Sequence, residues 1–204
     1  MTNYDYWRPA LTAVLLAVLY PLYWILEFTA GGNFPPDDFA EYMRWSPLDW
    51  LFVVVGGLSI YLYLSLRKVL TEQLNYTGID IPLLILVAVT VVFFFGLSIS
   101  QAVLLLSAGD SVAAYENIAE VVGVTVLVGT IIISGVAEIL IGCLLLRDSN
   151  HMPPPIKIFA IITLIMGIFD LTVIFSFISL FIYPVSMLVL ATYFLSKPEM
   201  IEVV

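Results

Sequence analysis

Charged residues are scarce in this sequence. Only 11% of its 204 residues are charged and seven are Lys or Arg, whereas 62% are hydrophobic and the mean hydropathy is +1.08. Water-soluble domains carry about a quarter charged residues, so the composition predicts a membrane protein. The net charge of −9 gives no sign of a nucleic-acid-binding surface, and we expect no nucleic-acid partner.

Residues that bind metals and cofactors are also nearly absent. His151 is the only histidine and Cys143 the only cysteine, which excludes an internal disulfide, a CxxC motif and a bis-histidine haem. A histidine-based zinc site is not expected either. The apolar runs contain no Ser/His/Asp set, and the chain has no glycine-rich phosphate loop. We therefore expect no cofactor, no metal and no catalytic machinery.

Long apolar runs are what the sequence does contain. A membrane-spanning helix needs about 20 residues. Residues 156–195 have only Lys157 and Asp170 as charged side chains, and one helix of that length would reach about 60 Å, twice the thickness of the hydrocarbon layer. This stretch is therefore predicted to form two helices with a turn near 175–179. The predicted spans are 9–28, 47–66, 82–106, 119–146, 156–175 and 177–195.

The predicted fold class is an all-α polytopic membrane protein. Its six transmembrane helices form one compact bundle, which is a single transmembrane domain, and five helices are the alternative. Six of the seven basic residues fall on one side of this topology, and only Arg44 falls on the other. Because cytoplasmic loops collect Lys and Arg, we expect both termini to be cytoplasmic, in a cell membrane that we take to be a bacterial inner membrane. The six residues are Arg8, Arg67, Lys68, Arg147, Lys157 and Lys197.

The longest loop, residues 29–46, is predicted to lie on the outer side. Its residues 37–45 can form a short helix along the membrane surface, since their apolar side chains recur at helical spacing. Tyr20, Tyr23 and Trp24 precede this loop and are interpreted as part of an interfacial aromatic belt.

Two acidic residues lie inside predicted spans. Glu138 is nine residues before Arg147, about 13 Å from the inner end of its span, and Asp170 lies about 20 Å along the next span. Burying each in a bilayer costs about 2.5–3.5 kcal/mol, so both should face protein. With Gln101 they are candidates for a proton or ion relay. The alternative is that each is protonated and bonded to a nearby hydroxyl or carbonyl group.

Small residues recur at helical spacing in the fourth and fifth spans. Gly135 and Gly142 are seven residues apart and share a helix face, and Ala160 and Gly167 repeat that spacing. Small residues allow helices to approach closely in membranes. The spacing predicts tight packing of these two spans, which would bring Glu138 and Asp170 towards a common interface.

Three functions are compatible with the sequence. The first is a subunit or interaction protein of a membrane complex, with the lipid bilayer and a membrane-protein partner or second copy as its contacts. The second is a small transporter or ion- or proton-conducting protein that uses Glu138 and Asp170. The third is an intramembrane carboxylate enzyme. A water-accessible cavity would favour the second function, and a closed bundle with sealed acids would favour the first.

Overall fold

Six long helices make up the described part of the chain. The computed structural model describes residues 6–30, 46–99 and 112–196. All six helices are long and apolar enough to cross a membrane, so the predicted all-α six-helix bundle is confirmed. They are α1 (Trp7–Ala30), α2 (Leu48–Leu74), α3 (Asp80–Val91, continued by a π-helical turn, Val92–Gly96, to Ile99), α4 (Val112–Arg147), α5 (Pro154–Leu171) and α6 (Ser179–Leu195).

Two sequence-based expectations concern residues that the structure does not describe, and one helix begins earlier than expected. The surface helix expected at residues 37–45 and the side chain of Gln101 lie outside the described residues. Helix α4 begins at Val112, ahead of the expected residue 119. Its 36 residues give a length of about 54 Å, which exceeds the hydrocarbon thickness of about 30 Å.

Short polar side chains end helix α5 and separate it from α6. The Thr172 hydroxyl donates to the carbonyl of Phe169 at 2.6 Å and accepts from the backbone N–H of Phe175 at 3.1 Å. The Ser176 hydroxyl donates to the carbonyl of Val173 at 2.6 Å. These bonds satisfy backbone groups that a continuing helix would otherwise pair. The turn at 172–178 therefore divides the long apolar stretch into two spans.

The turn after α5 contains a strained residue. Val173 has a φ of 57°, in the left-handed region where a β-branched side chain is disfavoured by about 1–2 kcal/mol. Its backbone N–H donates to the carbonyl of Asp170 at 3.0 Å, which closes the C-terminus of α5. Glycine is the usual residue at such a position.

Replacement of Val173 by glycine is expected to stabilise the protein by about 1 kcal/mol, because glycine adopts this conformation without strain. Thermal unfolding in detergent should show a melting temperature about 2–4 °C higher. Asn75→Gly is the matched control, since asparagine already tolerates its φ of 48° and should change less. An unchanged or lower melting temperature for Val173→Gly would argue against strain at this turn.

The helices pack in an order that brings the first and last together. Helix α1 packs against α6 and α2, α4 packs most extensively against α5, and α3 lies between α2 and α4.

The four small residues predicted to pack α4 against α5 meet in pairs across these two helices. A Cβ built on Gly142 would lie 2.8 Å from the carbonyl oxygen of Ala160, and one on Gly167 would lie 2.6 Å from that of Gly135. The two helices therefore touch backbone to backbone.

Basic residues gather at one end of the bundle, which we call the basic end. Arg67 of α2 pairs with Asp80 of α3 at 3.0 Å. The hydroxyl of Tyr76, in the connection between these helices, donates to the carbonyl of Leu144 at 2.9 Å. Burial raises the pKa of Tyr76 to about 12, and the neighbouring Asp148 carboxylate adds to the increase. Tyr76 therefore stays protonated at neutral pH and serves as a permanent donor that ties α2 and α3 to α4.

An aromatic cluster lies towards the opposite end. Phe52 is buried between Tyr23, Phe93 and Phe94, with ring centroids 5.1, 5.4 and 4.4 Å away. The expectation that Tyr23 belongs to an interfacial belt is wrong, because this side chain is only 6% exposed and packs inside the protein. Gly56 makes room for the cluster, since a Cβ there would lie 2.5 Å from the Cβ of Phe94.

Candidate functional site

Glu138 of α4 faces the interior of the bundle. The residue is 6% exposed, and Ala137 and Ile141 of the same helix are buried with it. Gly135 and Gly142 lie on the adjoining face of α4, against α5. Because Gly135 and Gly142 fix which face of α4 meets α5, they also direct Glu138 towards the centre of the bundle.

A small cavity adjoins Glu138. Its volume of about 10 Å³ is close to the minimum that one ordered water needs. Tyr63 of α2, Thr163 of α5, and Tyr183 and Ser186 of α6 supply its polar lining, and α3 supplies Leu83 and Leu86. The Oε2 atom of Glu138 is buried and has no hydrogen-bond partner in the described part of the chain. Most of the surface that faces the cavity is apolar, and the cavity is too small for an organic substrate.

The tyrosines of this cavity belong to a chain of hydroxyl groups. The Ser59 hydroxyl donates to the carbonyl of Val55 at 2.9 Å, and Ser59 Oγ lies 3.2 Å from the hydroxyl oxygen of Tyr183. Because the single hydroxyl proton of Ser59 is used, Tyr183 must be the donor in the second bond. The Tyr63 hydroxyl lies beside that of Tyr183. The hydroxyl group of Tyr183 is therefore engaged by both Ser59 and Tyr63.

Asp170 occupies a different environment, one residue before the end of α5. It accepts a hydrogen bond from the Ser179 hydroxyl at 2.6 Å. A Cβ built on Gly135 would lie 3.2 Å from the Cβ of Asp170, so Asp170 contacts α4 about one turn from Glu138. Asp170 does not line the cavity. Within the described residues, no hydrogen bond joins the two carboxyl groups.

Sequence reasoning found Glu138 but missed most of its surroundings. Tyr63, Thr163 and Ser186 line the cavity, and none was distinguished from the other polar residues in apolar runs. One signal was available in the dipeptide Tyr-Pro, which occurs at residues 20–21 and 183–184. The rings of Tyr20 and Tyr183 are in contact, with centroids 4.4 Å apart, so the repeated dipeptide marks where α1 and α6 meet.

Comparisons with known proteins found no match among family models, curated proteins or solved structures. In the parts of the chain that the structure describes, no group of three or more His, Cys, Asp or Glu side chains is placed to hold a metal ion. The fold and the cavity therefore define the class, a six-helix membrane protein with a buried carboxyl group. Any function has to be argued from this geometry.

Proposed function

We propose that this protein is a non-catalytic subunit or interaction protein of the membrane, and that it binds a partner helix through one face of α4. The supporting observation is that α4 is the helix least covered by its own chain. In its most apolar 18-residue stretch 28% of the residues are buried, against 33% in α5 and 39–44% in the other four helices. A second membrane protein, or a second copy of this chain, is the partner that fits such a helix.

Small residues on the exposed face of α4 support a specific contact. Thr125 and Gly129 lie four residues apart, and a Cβ built on Gly129 would meet nothing within 4 Å. Small residues with this spacing let two membrane helices approach closely. Within the chain, α5 packs against Gly135 and Gly142, whereas Thr125 and Gly129 are left uncovered. The exposed stripe of α4 is defined by Thr125, Gly129, Ile132, Val136, Leu140 and Cys143, which share one helix face.

The closed interior also supports a subunit over a transporter. A transporter needs a route for its substrate, and the cavity at Glu138 is close to the size of one water molecule. Asp170 is bonded to Ser179 rather than directed into that cavity. An intramembrane carboxylate enzyme would need both acids in one pocket, and the geometry does not favour it.

We also propose the orientation and location expected from the sequence, with both termini cytoplasmic in a bacterial inner membrane. The support is that Arg67 and Lys68 of α2, Arg147 of α4 and Lys157 of α5 belong to the same end of the bundle, as is typical of cytoplasmic ends.

Replacement of Gly129 by isoleucine is expected to weaken the proposed association about tenfold, because the added side chain keeps the partner helix away. The fraction of protein in the complex would be measured by native gel and light scattering after mild extraction from native membranes. Gly57→Ile is the matched control, since Gly57 of α2 is equally open but lies away from the stripe. Equal association of the two variants would contradict the proposal.

A cysteine at position 125 distinguishes the two kinds of partner. In a Cys143→Ser background, Thr125→Cys places one thiol beside the expected helix crossing. Oxidation in native membranes should give a disulfide-linked dimer of this chain if the partner is a second copy. A complex that Gly129→Ile disrupts, without such a dimer, indicates a different membrane protein. A monomeric wild-type chain in native membranes would remove the basis of the proposal.

A second candidate function is ion or proton transport through Glu138. The observation that favours it is the buried, unpartnered Oε2 atom, because ionisable groups retained inside a membrane protein usually have a functional role.

A further inference from the structure

We infer that α5 and α6 form a hairpin whose turn, residues 172–178, stays in the hydrocarbon of the leaflet away from the basic end, which we call the far leaflet. Lipid acyl chains cover its exposed apolar residues, which we call the turn surface. They are Ile174, Phe175 and Phe177 in the turn and Phe181 in the first part of α6. This inference does not depend on the proposed partner of α4.

The contacts of α5 with α4 give the height of the turn. A Cβ built on Gly135 would lie 3.0 Å from the backbone nitrogen of Leu171, the last residue of α5. Gly135 is twelve residues from Arg147, which ends α4 at the basic end, so it lies about 18 Å from that end along the helix axis. The hydrocarbon layer is about 30 Å thick, and basic residues lie at its boundary. Helix α5 therefore ends about 12 Å short of the opposite boundary.

The contact of α6 with α1 gives a similar height. Tyr183 contacts Tyr20, which lies twelve residues after Arg8 and so about 18 Å from the basic end of α1. Helix α6 begins at Ser179, four residues before Tyr183, which is about 6 Å further along. The start of α6 is then about 24 Å from the basic end, still inside a layer of about 30 Å. Any tilt of the helices lowers the turn further.

The side chains of the turn suit lipid rather than water. The four residues of the turn surface are each more than half exposed, and no charged residue occurs between Asp170 and Lys197. The connection between α4 and α5, at the basic end, instead contains Asp148, Asn150 and His151. Large apolar side chains grouped on a surface are unfavourable in water and favourable in hydrocarbon. Their position at a turn therefore places this turn inside the membrane.

The turn also satisfies its own hydrogen-bond donors. The backbone N–H groups of residues 172–176, 178 and 179 donate to carbonyl oxygens or to the Thr172 hydroxyl, within the same stretch or at the end of α5. The hydroxyl protons of Thr172, Ser176 and Ser179 are used there as well. A loop in water can leave such donors to the solvent, whereas hydrocarbon offers no acceptor. The pattern is typical of a turn inside a membrane.

A cysteine in the turn tests whether water reaches it. The full chain with Cys143→Ser and Phe175→Cys would be placed in lipid nanodiscs, whose two faces are both open to solvent. A charged maleimide should label this variant about a hundredfold more slowly than Thr29→Cys or Asn150→Cys, because the reagent has to enter hydrocarbon to reach the thiol. Thr29 and Asn150 are the matched controls, since both are exposed and lie at opposite ends of the bundle. Equal rates for the three variants would overturn the inference.

A nitroxide attached to the same cysteine identifies what covers the turn. Collisions with oxygen report hydrocarbon, and collisions with a water-soluble nickel chelate report water. We expect high oxygen and low nickel accessibility for Phe175→Cys, with the nickel accessibility rising in nanodiscs of shorter-chain lipid, because a thinner bilayer brings water closer. Phe177→Cys provides the same measurement if the first variant folds poorly. High nickel accessibility in both lipids would place the turn in water, and low accessibility to both reagents would show that protein covers it; either result overturns the inference.

Discussion

Replacement of Gly142 by leucine is expected to separate α4 from α5 and to destabilise the protein by more than about 3 kcal/mol, at the upper end of overpacking effects. The reason is that the neighbouring atoms cannot move aside. A Cβ at this position would lie 2.8 Å from the carbonyl oxygen of Ala160 and 2.8 Å from the Cβ of Leu164. These atoms belong to the backbone, or are bonded to it, so only a shift of the whole helix relieves the overlap.

Unfolding of the purified protein in mixed detergent micelles, followed by circular dichroism, would measure this loss. Gly57→Leu is the matched control, because its Cβ meets nothing within 4 Å and the added side chain enters lipid. Since the stability of most proteins is only about 5–15 kcal/mol, the Gly142 variant should be partly unfolded under conditions where the control is native. Equal midpoints for the two variants would show that α4 and α5 do not pack as described.

Removal of the Phe52 ring is expected to cost about 2–3 kcal/mol. Lipid tails are as apolar as the interior of the bundle, so little of this loss comes from hydrophobic transfer. It comes from the void, because deleting about 100 Å³ of side chain at about 24 cal/mol per Å³ gives about 2.4 kcal/mol. The void would open at the centre of the cluster formed with Tyr23, Phe93 and Phe94.

Phe181→Ala is the control for Phe52→Ala. The Phe181 side chain is 74% exposed, so its removal leaves space that lipid fills. The same unfolding measurement should show a shift below about 0.5 kcal/mol for this variant. If both phenylalanine variants lose the same stability, the aromatic cluster does not contribute as a packed unit.

The helix count could be predicted because length and hydropathy determine it. A helix of 40 residues is too long for a bilayer, and the hydroxyl groups of Thr172 and Ser176 end α5 within that stretch. The burial of Glu138 was also predictable, since lipid is a poor environment for a carboxyl group. In both examples a strong physical penalty leaves few alternatives.

The surroundings of Glu138 were not predictable from single helices. Tyrosine in an apolar run fits an interfacial belt as well as a buried contact, because the ring is apolar and the hydroxyl is polar. Tyr63 and Tyr183 meet only because α2 and α6 are neighbours in the fold. Helix α5 stops at Leu171 rather than at the expected residue 175, so Asp170 lies next to the end of its helix.

The pairing of the first helix with the last determines when the protein can finish assembling during its biosynthesis. Helices α2 and α3 are separated by only residues 75–79 and can associate as soon as both leave the ribosome. Helix α1 packs mainly against α6, whose Tyr183 contacts Tyr20. A nascent chain that still lacks α6 therefore exposes this side of α1 to lipid, and closure of the bundle must wait until translation is nearly complete.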